Sequence, residues 1–193
     1  MNNFIFYVKM GLNHVLDFSA YDHILFLIAL AIIFEFTQWK KVVWLVTLFT
    51  FGHTVTLALS AYEIVQINID LIEFLIPLTI FITSVFNIYN SFVSNNKSGN
   101  LNLLFAMFFG LIHGLGFSNY FRMMIGKEEE KLFPLIEFAL GIELAQIVIV
   151  TSILAITFAI INLLKLKKEY WIALVSIFVA IISSKMMWER IFW

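Results

Sequence analysis

The sequence predicts an all-α fold: a polytopic membrane bundle of about six transmembrane helices plus a short N-terminal interfacial or re-entrant helix. Three observations carry this. The 193 residues are 62% hydrophobic and 13% charged, whereas soluble domains average roughly 45–50% apolar and about 25% charged residues. Mean hydropathy is +0.95. The apolar residues gather into runs close to the ~20 residues that cross a bilayer, separated by short polar segments. An ordinary soluble globule has too little interior to hide so much apolar side chain. Two prolines and eight glycines leave little room for a turn-dense β architecture. Net charge is −1, without the basic excess that a nucleic-acid binder needs. No cysteine is present, which excludes disulfides, iron–sulfur centres and thiolate metal sites.

The elements follow in order. Residues 3–18 hold an apolar stretch interrupted by Lys9, Asn13, His14 and Asp17. That pattern suits an interfacial or re-entrant helix, and its apolar core is too short for a signal peptide. Residues 22–37 form the first expected span and residues 42–61, after Lys40-Lys41, the second. Residues 70–92 are the third. The segment SNNKSGN at 94–100 is a turn rich in Asn, Ser and Gly. Residues 101–121 are the fourth span, and GKEEEK at 126–131 is a charged loop. The fifth lies in 133–164, longer than one crossing needs. Residues 170–191, after LKLKKE, are the sixth. No linker is long enough to divide the chain, so 1–193 reads as one domain.

With six spans, Lys40, Lys41, Lys97, Lys165, Lys167 and Lys168 fall on one side. Compact lysine clusters favour the cytoplasm, which would put both chain ends outside. Trp39, Trp44, Trp171, Trp188 and Trp193 fall near span ends, as an interfacial belt requires. A faint internal repeat is also visible. His53 is followed by Ile72-Glu73-Phe74, and His113 by Ile136-Glu137-Phe138. A duplicated helix pair or chance recurrence of common residues explains it equally well.

The chemistry rests on four histidines, His14, His23, His53 and His113, none of them in the polar loops. Ionisable groups within a bilayer are costly and face the bundle interior or a wet cavity. Asp22 and His23 sit at the mouth of the first span. His53, His113 and Glu143 sit eight to ten residues deep from the same side, roughly 12–15 Å at 1.5 Å per residue. This predicts a mouth site of Asp22 and His23, helped by His14 or Asp17, leading to a central site of His53, His113 and Glu143. Gln146, one turn beyond Glu143, would orient its carboxylate.

Each residue also has a structural alternative. Asp22 fits the capping-box pattern of Ser19-Ala20-Tyr21-Asp22, and His53 and His113 read as packed histidines bonded to neighbouring helices. Gly52, Gly110 and Gly114 suit close helix contact. Glu35 and Glu137 read as solvated, and Glu73, Pro77, Ser84 and Asn87 run along one face of the third span. Imidazole and carboxylate without thiolate suit a divalent metal ion, nickel, cobalt, zinc or ferrous iron, and disfavour copper(I).

Four segments resemble the HupE/UreJ family of small bacterial membrane proteins associated with nickel, and sometimes cobalt, supply. They are His14-Val-Leu-Asp17-Phe-Ser-Ala-Tyr-Asp22-His23, Phe51-Gly52-His53-Thr54, Phe109-Gly110-Leu-Ile-His113-Gly114-Leu-Gly116-Phe117 and Leu140-Gly141-Ile142-Glu143-Leu-Ala-Gln146. Two departures stand out: the family's nickel permeases place five residues between the first His and Asp-His, here seven, and Phe117 follows Gly116 where some carry a second His. The resemblance implies a multi-pass protein of the bacterial inner (plasma) membrane whose metal residues are His23, Asp22, His53, His113 and Glu143, with His14 and Asp17 near them. It implies a permease whose substrate is a divalent metal ion, with the lipid bilayer as its surroundings, no nucleic-acid partner, and homo-oligomers left open. No nucleotide-binding loop is present, so a gradient, the membrane potential or a separate partner would drive it. The alternative is an intramembrane zinc-dependent hydrolase, in which three histidines hold the ion and a carboxylate serves as base.

Overall fold

The computed structural model describes residues 3–17, 21–65, 67–93, 99–126 and 130–192. Within these the protein consists of seven α-helices: α1 (Asn3–Leu16), α2 (Asp22–Ala31), α3 (Trp39–Ala61), α4 (Ile69–Phe92), α5 (Gly99–Ile125), α6 (Leu132–Asn162) and α7 (Lys168–Glu189). One 3₁₀ turn, Phe36–Gln38, precedes α3. The all-α membrane bundle holds. Five helices, from α3 to α7, are long and apolar enough to cross a bilayer. Their outer faces are apolar too: Trp44, Phe51, Phe108, Val148, Phe158, Phe178 and Ile181 are all exposed, which suits contact with lipid rather than water.

The expected first span differs. The run 22–37 is apolar throughout, yet its helix stops at Ala31, after ten residues, about 15 Å and half a bilayer. A helix leaves its last four carbonyls without intrahelical donors. Here the Asn87 amide, from α4, donates to the Ala29 carbonyl at 2.6 Å. Glu35 then starts the 3₁₀ turn, and its backbone N–H donates to Gln38 Oε1 at 3.1 Å. The six-span count thus becomes five long helices and two short ones.

The short pair is docked in the bundle. Gly11 of α1 crosses Gly141 of α6 so closely that a Cβ on Gly11 would strike the Phe138 carbonyl, and one on Gly141 the Val8 carbonyl. Of the interfacial and re-entrant readings of α1, this contact fits the re-entrant one. Contacts pass from Gly141 beside Val8 to Phe138 beside His14, so α1 runs antiparallel to α6. Its first turn therefore lies away from Arg190 at the end of α7, whereas the span count had put both chain ends on one side.

Helices α3 and α5 run parallel in close contact. A Cβ on Gly52 would strike the Met107 carbonyl, one on Gly110 the Phe49 carbonyl, and one on Gly114 the His53 carbonyl and Thr56 hydroxyl. Small residues let backbones approach in this way, and in lipid such packing replaces the hydrophobic drive between helices. Polar links fix both ends of the bundle. Lys131 Nζ donates to the Ala61 carbonyl at the end of α3, at 2.8 Å. At the other end, the lysine end, Lys168 Nζ lies 2.8 Å from Glu35 Oε1. Trp39, Trp44 and Trp188 are exposed, whereas Trp171 donates to Thr157 Oγ1 at 3.2 Å. Trp193 lies outside the described residues, as does Ser19 of the predicted capping box.

Candidate metal centre

The glycine contacts between α3 and α5, and between α1 and α6, bring four imidazoles together. His14 comes from the last turn of α1, His23 from the first turn of α2, His53 from α3 and His113 from α5. His14, His23 and His53 each offer a ring nitrogen, and these three atoms lie within 4.8 Å of one another. Ring centroids are 4.5 Å apart for His14 and His23, 5.6 Å for His14 and His53, and 6.0 Å for His23 and His53. The His113 ring stands 5.3 Å from that of His23.

The rings' hydrogen bonds say which nitrogens are available. His113 Nδ1 donates to the Phe109 carbonyl, one helical turn back, at 2.9 Å. Its proton is therefore on Nδ1, and Nε2 carries a lone pair. His23 Nδ1 lies 3.1 Å from Asp22 Oδ1, which also accepts from the His23 backbone N–H at 2.8 Å. The Nε2 atoms of His14, His23 and His113, and both ring nitrogens of His53, are buried without a hydrogen-bond partner. Buried polar atoms nearly always have partners. Unpartnered nitrogens converging from α1, α2 and α3, with the His113 ring beside them, are the arrangement a metal ion satisfies. The walls are apolar: Phe117 stacks on Phe138 at 5.3 Å with His14 against both, and Phe26 and Phe49 flank His113.

The structure regroups the predicted site residues. His23 and Asp22 are buried rather than set at a mouth, and the His23 ring lies 6.0 Å from that of His53. The predicted mouth and central sites thus share one level. His14 joins His23 and His53 although seven residues, not five, separate it from Asp22. Asp22 caps nothing through its side chain beyond its neighbour's N–H, since Tyr21 holds the N-cap position. Asp17, directly after α1, is exposed. Glu143 is apart from the imidazoles and accepts a hydrogen bond from Thr47 Oγ1 at 2.5 Å. Gln146 is fully buried and accepts from Thr50 Oγ1 at 3.0 Å.

One residue at the site gave no sequence signal. Arg190, at the end of α7, places Nη1 3.8 Å from Asp22 Oδ2 and donates to the Glu73 carbonyl at 3.3 Å. In sequence it is only a charge closing an apolar run. Among the acids expected to be solvated, Glu35 is exposed and paired with Lys168, and Glu137 is half-buried.

The family description of the HupE / UreJ protein matches residues 1–190. The chain belongs to the HupE/UreJ family. No curated protein and no solved structure matches it. The match covers all seven helices, so the four imidazoles of this HupE/UreJ protein lie within the family's own span, and with five long apolar helices it is a multi-pass membrane protein.

Proposed function

We propose that this HupE/UreJ protein is a bacterial inner-membrane permease for a divalent transition-metal cation, nickel or cobalt first. The observation that carries the reading is the convergence of His14, His23 and His53 with buried, unpartnered nitrogens. Neutral imidazole is a good ligand for these ions. His113 supplies a further lone pair beside His23. Asp22 holds the His23 ring through Nδ1, as carboxylates commonly do for metal-bound histidines, and brings negative charge to an otherwise neutral cage. An incoming hydrated ion would exchange waters for imidazole nitrogens here. Family membership supports a nickel- or cobalt-associated role.

The test is flux. Purified protein in liposomes loaded with a metal-sensitive dye should admit nickel or cobalt down an imposed gradient, and His23→Ala should abolish this. Tight metal retention without flux in the wild type would sink the transport reading.

The three-histidine geometry also favours a second reading, an intramembrane zinc hydrolase. Catalytic zinc sites keep three protein ligands and an open position for water. Asp22 would then orient His23, and the base would have to come from the substrate side. Hydrolytic activity lost on chelation and restored by zinc, without flux, would establish it.

A further inference from the structure

From His53 a polar ladder continues along α3 towards the lysine end. Thr50 lies one turn before His53 and Thr47 one turn before that. Each is hydrogen-bonded to α6: Thr50 to Gln146, and Thr47 to Glu143. Glu143 and Gln146 are themselves three residues apart, so they share one face of α6. Beyond this layer the path is apolar, with Val42, Leu45 and Val46 on α3 and Val150 and Leu154 on α6 all buried.

The layer is incompletely satisfied. Glu143 Oε2 and Gln146 Nε2 are buried and have no hydrogen-bond partner. Amide oxygen and nitrogen are assigned from their surroundings, so Gln146 offers an oxygen to the same space if its amide turns over. Thr47 Oγ1 donates to Glu143 Oε1, so Oε2 is the free oxygen of that carboxyl group. Among the described residues no Lys, Arg or His forms an ion pair with Glu143. A buried carboxyl oxygen needs a partner, and none is built among the described residues.

We propose that Glu143, Gln146, Thr47 and Thr50 form a second divalent-cation site, an all-oxygen station on the lysine side of the histidine cage. Its role as the next stop for a transported ion rests on the permease reading; its existence as a binding site does not. The donor sets differ in a useful direction. Imidazoles hold nickel and cobalt more firmly than carboxylate, amide and hydroxyl oxygens do. An ion moving from His53 to Glu143 passes from a firm site to a looser one, which suits release. The buried aliphatic side chains below close the far side in this conformation.

The experiment is equilibrium dialysis of the purified full-length protein with nickel chloride, alongside flux in liposomes. The wild type should bind two ions per chain, one tightly and one weakly. Glu143→Gln, nearly isosteric and neutral, should remove the weak ion and leave the tight one unchanged. Thr47→Val should weaken the second ion by about tenfold, the worth of one hydrogen bond to a charged group. This variant keeps the test open if Glu143→Gln does not fold. His53→Ala should do the converse, losing the tight ion and keeping the weak one. Under the permease reading, Glu143→Gln should also cut flux by about tenfold or more, since an uncompensated step raises the barrier by at least ~1.4 kcal/mol. One ion per wild-type chain, or two in Glu143→Gln, overturns the site. Two ions in the wild type with no flux keeps the site and overturns the permease reading alone.

Discussion

Asp22 Oδ1 lies 3.1 Å from His23 Nδ1, so the ring's other nitrogen is left for His14 and His53. The carboxylate thus fixes which edge of His23 enters the cage. Arg190, 3.8 Å from Asp22 Oδ2, holds the same carboxylate from the other side.

Asp22→Asn should therefore weaken metal binding by about tenfold to a hundredfold, the usual cost of losing a carboxylate behind a ligating histidine. Asn keeps an oxygen for the His23 N–H, so thermal stability should change little. Isothermal titration with nickel reads the first effect and a melting curve in detergent the second. Unchanged affinity would mean that Asp22 serves only the first turn of α2.

Single alanine substitutions of His14, His23 or His53 should each remove most binding. Any pair should add little, because residues serving one ion are not independent. Additive losses would show three separate packed histidines. Protons compete for the same nitrogens, so wild-type affinity should fall as pH falls, and with three imidazoles the fall should involve more than one proton per ion. A potentiometric titration during metal binding counts the protons released.

Gly110→Ala and Gly141→Ala should destabilise the bundle by about 1–3 kcal/mol, the cost of overpacking, since each new methyl meets a backbone carbonyl that cannot turn aside. Gly126, in the loop after α5, serves as the control: the nearest atom to its Cβ is a carbonyl of the preceding turn at 3.0 Å, and no other helix approaches. Melting temperatures in detergent separate these cases, and equal effects at all three positions would refute the close-contact role.

Asn87→Leu should cost about 1–3 kcal/mol, because it leaves the Ala29 carbonyl buried without its donor. The loss should appear as faster hydrogen exchange in 28–33 before any change in α5 or α6. Uniform exchange along the chain would count against a local cap.

Much of the fold was legible because bilayer-length apolar runs have few other uses. The histidines were legible as a group because each is an ionisable residue in or beside such a run. Their partition was not. Depth counted along straight spans put His23 at a surface, whereas α2 starts inside the bundle. Nothing within 22–37 marks Ala31 as a helix end, since the amide that donates to the Ala29 carbonyl belongs to Asn87, 58 residues on. For the same reason sequence depth groups Glu143 with His53: helix periodicity gives a face and a depth, but not which neighbour occupies that face. Arg190 meets Asp22 only through the packing of α7.

The Gly11–Gly141 crossing also governs the order in which the protein is built. The short helices α1 and α2 emerge from the ribosome before α6, yet the surface that receives α1 belongs to α6, about 130 residues later. Until α6 is in place, α1 lacks the surface it packs on, and His53 stands without His14. The cage is therefore completed late in biogenesis, and a nascent chain in the membrane offers passing metal ions no finished trap.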